Sequence, residues 1–214
     1  MIWHPVEQNT NIPCPCCGKT WMELRAGKVT GSSIAKIMAN YPNQFGEPAK
    51  RLAVSIASYS LGGQWPENNY TNAEMERGQA EEPIARALYQ SSYFVAVTNG
   101  GFFDNGDTGS SPDGISKPHG LQEIKSVIDS TFYPIAKSKK FDPTYRWQYI
   151  FNMKEAGADW IDCIYFCSTM PDEKRLYVYR MYAKSVKKEY AMIEKRLERF
   201  RGFVRETKRN ISKF

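Results

Sequence analysis

Hydrophobic and polar positions follow two different periods along this chain, and the switches between them outline its elements. Ile34, Ile37 and Met38 fall at helical spacing directly after Thr30-Gly31-Ser32, where Thr30 or Ser32 suits an N-cap. Residues 41–48 read as a loop. Ala49 to Leu61 reads as a helix stopped by Gly62-Gly63, and Gln64 to Asn72 is polar and turn-rich. Ala73 to Gln90 predicts a long helix with Met75, Gln79, Glu82 and Arg86 on one stripe, kinked or restarted at Pro83. The period then shortens. Tyr93 to Val97 predicts a strand, Asn99-Gly100-Gly101 a turn, and Phe102-Phe103 the start of another strand. A helical segment carrying Phe132, Tyr133 and Ile135 follows Ser126. Thr144 to Ala156 predicts a helix whose Tyr145, Gln148, Tyr149 and Asn152 share a stripe. Trp160–Thr169 and Arg175–Tyr182 predict paired strands. The last helix, from Ser185 to about Arg205, mixes Lys187, Lys188, Lys195, Arg196, Arg199 and Arg201 with Glu189, Glu194 and Glu198, the pattern of a solvated face. This order predicts an α/β protein with a central mixed sheet flanked by helices, one domain over 1–214. Within it, 1–20 is irregular and 184–214 is a basic C-terminal helix.

Chemistry concentrates between Ser110 and Ser126. Two short strands are joined by a turn at Lys117-Pro118-His119-Gly120, with Asp113 ending the first and Glu123 and Lys125 on the second. Residues two apart in a strand share a face, so Glu123 and Lys125 point one way and Ile124 the other. The hairpin returns Asp113 beside them. Two carboxylates and an ammonium then converge, a set that suits Mg²⁺ or Mn²⁺ and a positioned water. The same residues also fit a surface hairpin with ordinary ion pairs.

The chain has 214 residues, a net charge of +6, 42% hydrophobic and 24% charged residues, a soluble globular balance that permits an anionic partner. No apolar run is long enough to span a bilayer, and the N-terminus carries no signal pattern, so a cytoplasmic location is expected. Five cysteines argue against a disulfide scaffold. Cys14-Pro-Cys16-Cys17-Gly18 contains a Cys-x-x-Cys-Gly knuckle, so Cys14 and Cys17 are candidate Zn²⁺ ligands. His4 or Cys16 could add a third ligand, with Cys163 and Cys167 conceivable from a distance; a plain loop and core cysteines are the alternative. Arg25 upstream of the Gly31-Ser32 helix start makes a candidate phosphate site, or simply a cap. Lys137, Lys139 and Lys140 suit a phosphate backbone or a helix C-terminus.

Taken together, these pieces resemble the phage-type alkaline exonucleases, the lambda exonuclease and YqaJ-like viral recombinase family of the restriction-endonuclease-like superfamily. Trp21-x-x-x-Arg25-x-Gly-x-Val-Thr30-x-Ser32 resembles the family's N-terminal motif. Arg77-Gly-x-x-x-Glu82-x-x-Ala-Arg86 resembles its acidic helix, Ser111-Pro-Asp113-Gly with Glu123-Ile-Lys125 its core, and Tyr145-x-x-Gln148 its glutamine helix. The likeness spans about Trp21 to Thr169. It implies two Mg²⁺ ions, with Mn²⁺ able to substitute, held by Glu82, Asp113, Glu123 and the Ile124 carbonyl. It also implies that Lys125 activates water, that Gln148 holds this assembly or the scissile phosphate, and that Arg25 and Ser32, near Thr30, grip a 5′-phosphate. Glu81 competes with Glu82 for the acidic role, and the spacing from Arg77-Gly78 and to Arg86 favours Glu82. The basic residue that lambda exonuclease carries six positions past its catalytic lysine is Thr131 here, so either Lys137, Lys139 or Lys140 substitutes for it or the phosphate preference is weaker. The implied activity is 5′→3′ digestion of double-stranded DNA ends to 3′ single strands. A ring-shaped homotrimer, a single-strand annealing partner and a phage or prophage protein acting in a bacterial host complete the expectation. A structure- or site-specific endonuclease on the same fold, or a non-catalytic zinc-stabilised nucleic-acid-binding protein, are the rival readings.

Overall fold

The computed structural model describes residues 1–66 and 72–213; most of the polar stretch expected at 64–72 therefore lies outside the described residues. The chain order is β1 (Ile2–His4), α1 (Trp21–Arg25), β2 (Val29–Thr30), α2 (Gly31–Met38), α3 (Glu47–Ser60), α4 (Ala73–Tyr93), β3 (Thr98–Asn99), β4 (Phe102–Asp104), β5 (Thr108–Ser110), β6 (Gly114–Ser116) and β7 (Gly120–Ser126). There follow α5 (Asp129–Ser138), α6 (Arg146–Ala156), β8 (Trp160–Phe166), β9 (Leu176–Tyr182) and α7 (Lys187–Ile211).

The strands form two mixed sheets, where one was expected. The larger has the order β3-β6-β7-β8-β9 and the smaller β1-β4-β5-β2. In the larger sheet β6 and β7 are antiparallel, as the turn chemistry requires, while β7 and β8 run parallel because α5 and α6 provide the crossover. The segment expected to be irregular, 1–20, contains β1, which pairs antiparallel with β4.

The side-chain period of β7 and β8 sorts the two cores. Leu121, Ile161, Cys163 and Tyr165 face a large cluster built from α2, α3, α6 and α7, including Ile34, Ile37, Tyr149, Ile150 and Phe200. Ile124, Ile164 and Phe166 face the opposite side, where Ala85 and Tyr89 of α4 cover them. Cys163 and Cys167 are fully buried in the large cluster, so they are core residues and no part of a metal site.

Two local expectations change. Helix α4 runs through Pro83 without a break. A proline there removes one N–H, the bond to the carbonyl of Gln79, and Gln79 lines an open cleft. The strand expected at Tyr93 to Val97 is absent: α4 extends to Tyr93, and Phe94 ends it in the left-handed region. The amides of Val95 and Val97 then bond back to the carbonyl and side chain of Gln90, at 3.2 and 2.8 Å, so no neighbouring strand receives them.

Candidate active site

The site is built where β6 ends and β7 continues. β6 and β7 pair from Ser116↔Gly120 to Gly114↔Gln122. Two residues further in that register Pro112 stands opposite Ile124 and has no N–H to offer the Ile124 carbonyl. The Pro112 carbonyl is taken by Gln8 Nε2 at 2.6 Å, and the Ile124 N–H donates instead to the Asp113 carboxylate at 2.6 Å. The N–H and C=O of a strand residue project to the same side, so the Ile124 carbonyl also faces this open edge. Here the two faces of the sheet meet.

Glu123 and Lys125 reach the edge from the α6 side. Glu123 is 2% exposed. Its Oε1 accepts Lys125 Nζ at 2.9 Å and also Gln148 Nε2, and its Oε2 accepts Asn152 Nδ2 at 2.8 Å. Gln148 and Asn152 stand one turn apart on α6, which aims both amides at one carboxylate. Glu82 approaches from α4, where it pairs with Arg86 at 2.5 Å. The neighbouring Glu81 goes elsewhere: its carboxylate accepts Ser126 Oγ and Ser168 Oγ, and so joins α4 to the far end of β7.

The electrostatics record this crowding. Burial, and then the charges of Glu123 and Glu82, push Asp113 well above the ordinary 3.8. Burial opposes the Lys125 ammonium, but Glu123 and Asp113 outweigh it and hold its pKa above the ordinary lysine value. Lys125 therefore stays charged at neutral pH, with its Nζ 4.7 Å from the centre of the Tyr145 ring.

A second polar cluster adjoins the acids. Arg25 stacks on Trp21 at 4.2 Å and donates to Ser32 Oγ at 2.9 Å and Thr30 Oγ1 at 3.4 Å. Ser111 Oγ accepts Trp21 Nε1 at 2.8 Å and Arg25 Nη1 at 3.4 Å, tying this cluster to the segment between β5 and β6 that carries Asp113. Burial pushes the Arg25 pKa down to about 10, against the opposing pull of Glu123, and the guanidinium remains cationic. Thr30 caps α2 in a reciprocal box with Ser33, so the N-cap reading and the Arg25 contact hold together.

With this geometry in view, comparison with known proteins is informative. A YqaJ-like viral recombinase domain model matches residues 20–159. The chain belongs to the YqaJ-like viral recombinase family. An alkaline exonuclease, LHK-Exo, from Laribacter hongkongensis superposes with a TM-score of 0.73 at 27% identity, covering 90% of this chain and 97% of that one. The same enzyme in complex with dAMP gives a TM-score of 0.75 at 28% identity over the same shares. A phage-related exonuclease from Haemophilus somnus 129PT shares the fold, with a TM-score of 0.63 at 16% identity over 86% of this chain and 95% of that one. None of the curated proteins matches the chain. These similarities establish the restriction-endonuclease-like fold and support a nuclease function.

The residues of this YqaJ-like chain fit a divalent metal on their own chemistry. Three carboxylates and a carbonyl are hard oxygen donors, and acids forced together against their repulsion gain most from a cation. Both oxygens of Glu123 are already occupied by Lys125, Gln148 and Asn152, so a cation must share or displace one of those bonds. Lys125 and Gln148 bond Glu123 directly, and Glu82 and Glu123 lie near enough for their charges to act on Asp113, although among the described residues these carboxylates are not gathered within 4.8 Å of one another. Lys137, Lys139 and Lys140 stand apart: they lie at the exposed end of α5, and make no hydrogen bond or ion pair with Arg25, Ser32 or the acids among the described residues. Lys137 instead sits over Tyr133, and Lys139 closes the helix in a left-handed conformation. At the N-terminus Cys14 and Cys17 come together with both His4 and Cys16. Among the described residues, no helix is long and apolar enough to cross a membrane.

Asn152, Ser111, Trp21 and Gln8 belong to this neighbourhood without having been assigned to it from sequence. Asn152 had a legible signal, its spacing of four from Gln148 on the stripe already noted. It also explains Gly31. A Cβ at Gly31 would stand 2.2 Å from Asn152 Oδ1. Gly31→Ala should therefore push Asn152 off Glu123 and lower the turnover number by about 10- to 100-fold, the usual cost of disturbing a residue that orients a metal-ligating group. Wild-type turnover in a folded Gly31→Ala protein would remove Asn152 from the positioning role.

Proposed function

We propose that the chain is a divalent-metal-dependent exonuclease that digests double-stranded DNA from its 5′ ends and leaves 3′ single strands. One observation carries this reading: the neighbouring acids Asp113, Glu123 and Glu82, with Lys125 among them, adjoin a half-buried guanidinium surrounded by hydroxyls. An acid cluster alone suits many hydrolases. A phosphate-gripping cluster beside it suits a substrate held by a terminal phosphate while the neighbouring phosphodiester is cut.

Mg²⁺ held by Glu82, Asp113, Glu123 and the Ile124 carbonyl, with Mn²⁺ able to replace it, would supply the charge neutralisation that an in-line phosphodiester displacement needs at its attacking and leaving oxygens. The protein residues do the rest. Lys125 stays protonated, so it orients the attacking water and favours its hydroxide form as a fixed positive charge; it is not the base. Gln148 and Asn152 hold the Glu123 carboxylate by both oxygens. Arg25 is preorganised by Trp21 and Ser111, so little ordering cost remains when it meets a 5′-phosphate alongside Ser32 and Thr30. Its partial burial strengthens that contact. The structural neighbour solved with dAMP binds a deoxynucleoside monophosphate, the class of product that exonuclease digestion releases. A ring-shaped homotrimer around the duplex and a single-strand annealing protein that takes up the 3′ strand accompany this reading, in the cytoplasm of a bacterial host.

The test is digestion of end-labelled linear duplexes with and without Mg²⁺, comparing 5′-phosphate and 5′-hydroxyl ends, with a covalently closed circle as control. Cleavage should require Mg²⁺ and an end, and a 5′-phosphate should accelerate it by about 10- to 100-fold, the worth of one or two charge-assisted hydrogen bonds. Cutting of the closed circle would replace this reading with an endonuclease. Binding without cleavage in Mg²⁺ or Mn²⁺ would remove the enzyme altogether.

A further inference from the structure

The nuclease reading leaves the N-terminal cysteines unused, yet they form the most sharply defined side-chain cluster outside the acid site. His4, Cys14, Cys16 and Cys17 each place one ligand atom within 4.8 Å of all the others. The separations are 3.0 Å between Cys14 and Cys16 Sγ, and 3.3, 3.5 and 3.9 Å from His4 Nδ1 to Cys16, Cys17 and Cys14 Sγ. A tetrahedral ion with Zn–S near 2.3 Å and Zn–N near 2.0 Å sets its ligand atoms roughly 3.5–3.8 Å apart, so small rotamer adjustments suffice. We propose that His4, Cys14, Cys16 and Cys17 bind one Zn²⁺ in a closed structural site.

Three further features fit a built site. The backbone forms a knuckle: Gly18 N–H donates to the Cys14 carbonyl at 2.8 Å, and Cys14 N–H to the Lys19 carbonyl at 2.8 Å. Gly18 takes a φ of +71°, which a side chain would strain. His4 is buried on β1, and its other nitrogen, Nε2, faces Asp104 Oδ2 at 4.0 Å. A carboxylate behind the ring is the usual means of fixing the tautomer that leaves Nδ1 free for a metal. Cys14 is 1% exposed and packs with Val6, Leu24 and Phe102, so the cluster is anchored in a small core of its own. Ligand atoms this close leave room for one ion and not for an iron–sulfur cluster. Binding converts the thiols to thiolates and releases their protons, leaving a net charge of −1 with neutral His4.

The site closes a loop that matters to the cleft. Residues 5–13 run between His4 and Cys14. Gln8 Nε2 donates to the Pro112 carbonyl at 2.6 Å, one residue from Asp113. Glu7, Gln8 and Asn9 wall an open cleft of about 450 Å³ whose other side carries Gln79, Glu82 and Arg86. Zinc would thus staple the base of a loop that shapes the approach to the acids; this consequence rests on the nuclease reading, whereas the metal site itself does not.

The experiment uses the full chain, purified reduced and without chelating resin from cells supplied with zinc. Elemental analysis should find about one zinc per chain. Cobalt(II) exchanged into the site should give the strong visible bands of a tetrahedral ion and a thiolate-to-cobalt band in the near ultraviolet. Cys16→Ala and Cys17→Ala alter exposed residues and should leave the fold intact; each should weaken cobalt binding by at least about 100-fold and lose part of the thiolate band. Circular dichroism identifies any variant that has not folded, and His4→Asn then supplies the same test from the nitrogen side. Zinc-free protein with pale, six-coordinate cobalt spectra would overturn the proposal. So would stoichiometric iron with a brown colour, or a Cys14–Cys16 disulfide in protein isolated without oxidant. None of these readouts depends on DNA cleavage.

Discussion

Asp113→Asn should lower the rate of duplex digestion by on the order of 10³-fold, the scale on which loss of one charge-stabilising group reduces catalysis, and at the same time stabilise the metal-free protein. The opposite signs follow from the pKa. Asp113 is held above its ordinary 3.8 by burial, Glu123 and Glu82. The folded metal-free state therefore binds more protons than the unfolded one, and its stability falls as pH rises from the unfolded value through the raised folded value. Asparagine removes that penalty while keeping an oxygen for the Ile124 N–H. Mg²⁺ should remove it too, so the gain in melting temperature on adding Mg²⁺ should be larger at pH 8 than at pH 6 in the wild type. In Asp113→Asn the Mg²⁺ gain should shrink, and its pH dependence should flatten. Melting curves by circular dichroism, beside the digestion assay, measure all of this. Were Asp113 merely one partner in a surface ion-pair hairpin, Asn would leave digestion unchanged and Mg²⁺ would not move the melting temperature; that outcome would defeat the site.

Arg196→Leu should be the most destabilising single change in the C-terminal helix, by about 3–5 kcal/mol, or roughly 10 °C in melting temperature. Arg196 is fully buried. Its guanidinium donates to the carbonyls of Ile37, Asn43 and Ala39 at 2.7, 2.6 and 3.1 Å and lies 4.0 Å from the Phe45 ring. Those carbonyls belong to the end of α2 and the turn after it, and no backbone donor among the described residues satisfies them. Leucine fills part of the volume but leaves three acceptors dry. The neighbouring Lys195→Leu, on an exposed position, is the control and should change stability by less than about 0.5 kcal/mol. Equal melting temperatures for Arg196→Leu and wild type would show that α7 does not depend on this anchor.

The same arginine marks the limit of sequence reading. Its charge placed it with Lys195 and Arg199 on a solvated face, because helical period registers polarity and cannot distinguish a cation facing water from one facing carbonyl groups. Helical period was equally silent between Glu81 and Glu82, where only the motif spacing from Arg77-Gly78 and to Arg86 favoured Glu82. Adjacent residues on a helix differ by about 100° in direction, and the packing of Ala85 and Tyr89 on β7 and β8 decides which carboxylate reaches the acids and which reaches Ser126 and Ser168. Tyr93 to Val97 has strand composition, but α4 consumes its first residue and Gln90 takes its amides.

What the sequence by itself determined was local. Two-residue alternation in Glu123-Ile124-Lys125 and the Pro-Gly turn before it outlined the acid hairpin, and the capped start of α2 and the shared stripe of Gln148 and Asn152 are likewise short-range facts of backbone geometry. The tertiary structure decided what long-range packing controls: two sheets in place of one, Glu82 on the opposite side of β7 from Glu123, Ser111 joining Arg25 to the acid strand, and His4 carried by β1 to the three cysteines. These pairings lie many residues apart in the chain, so only the closing of the sheets and the burial of their two faces could select them.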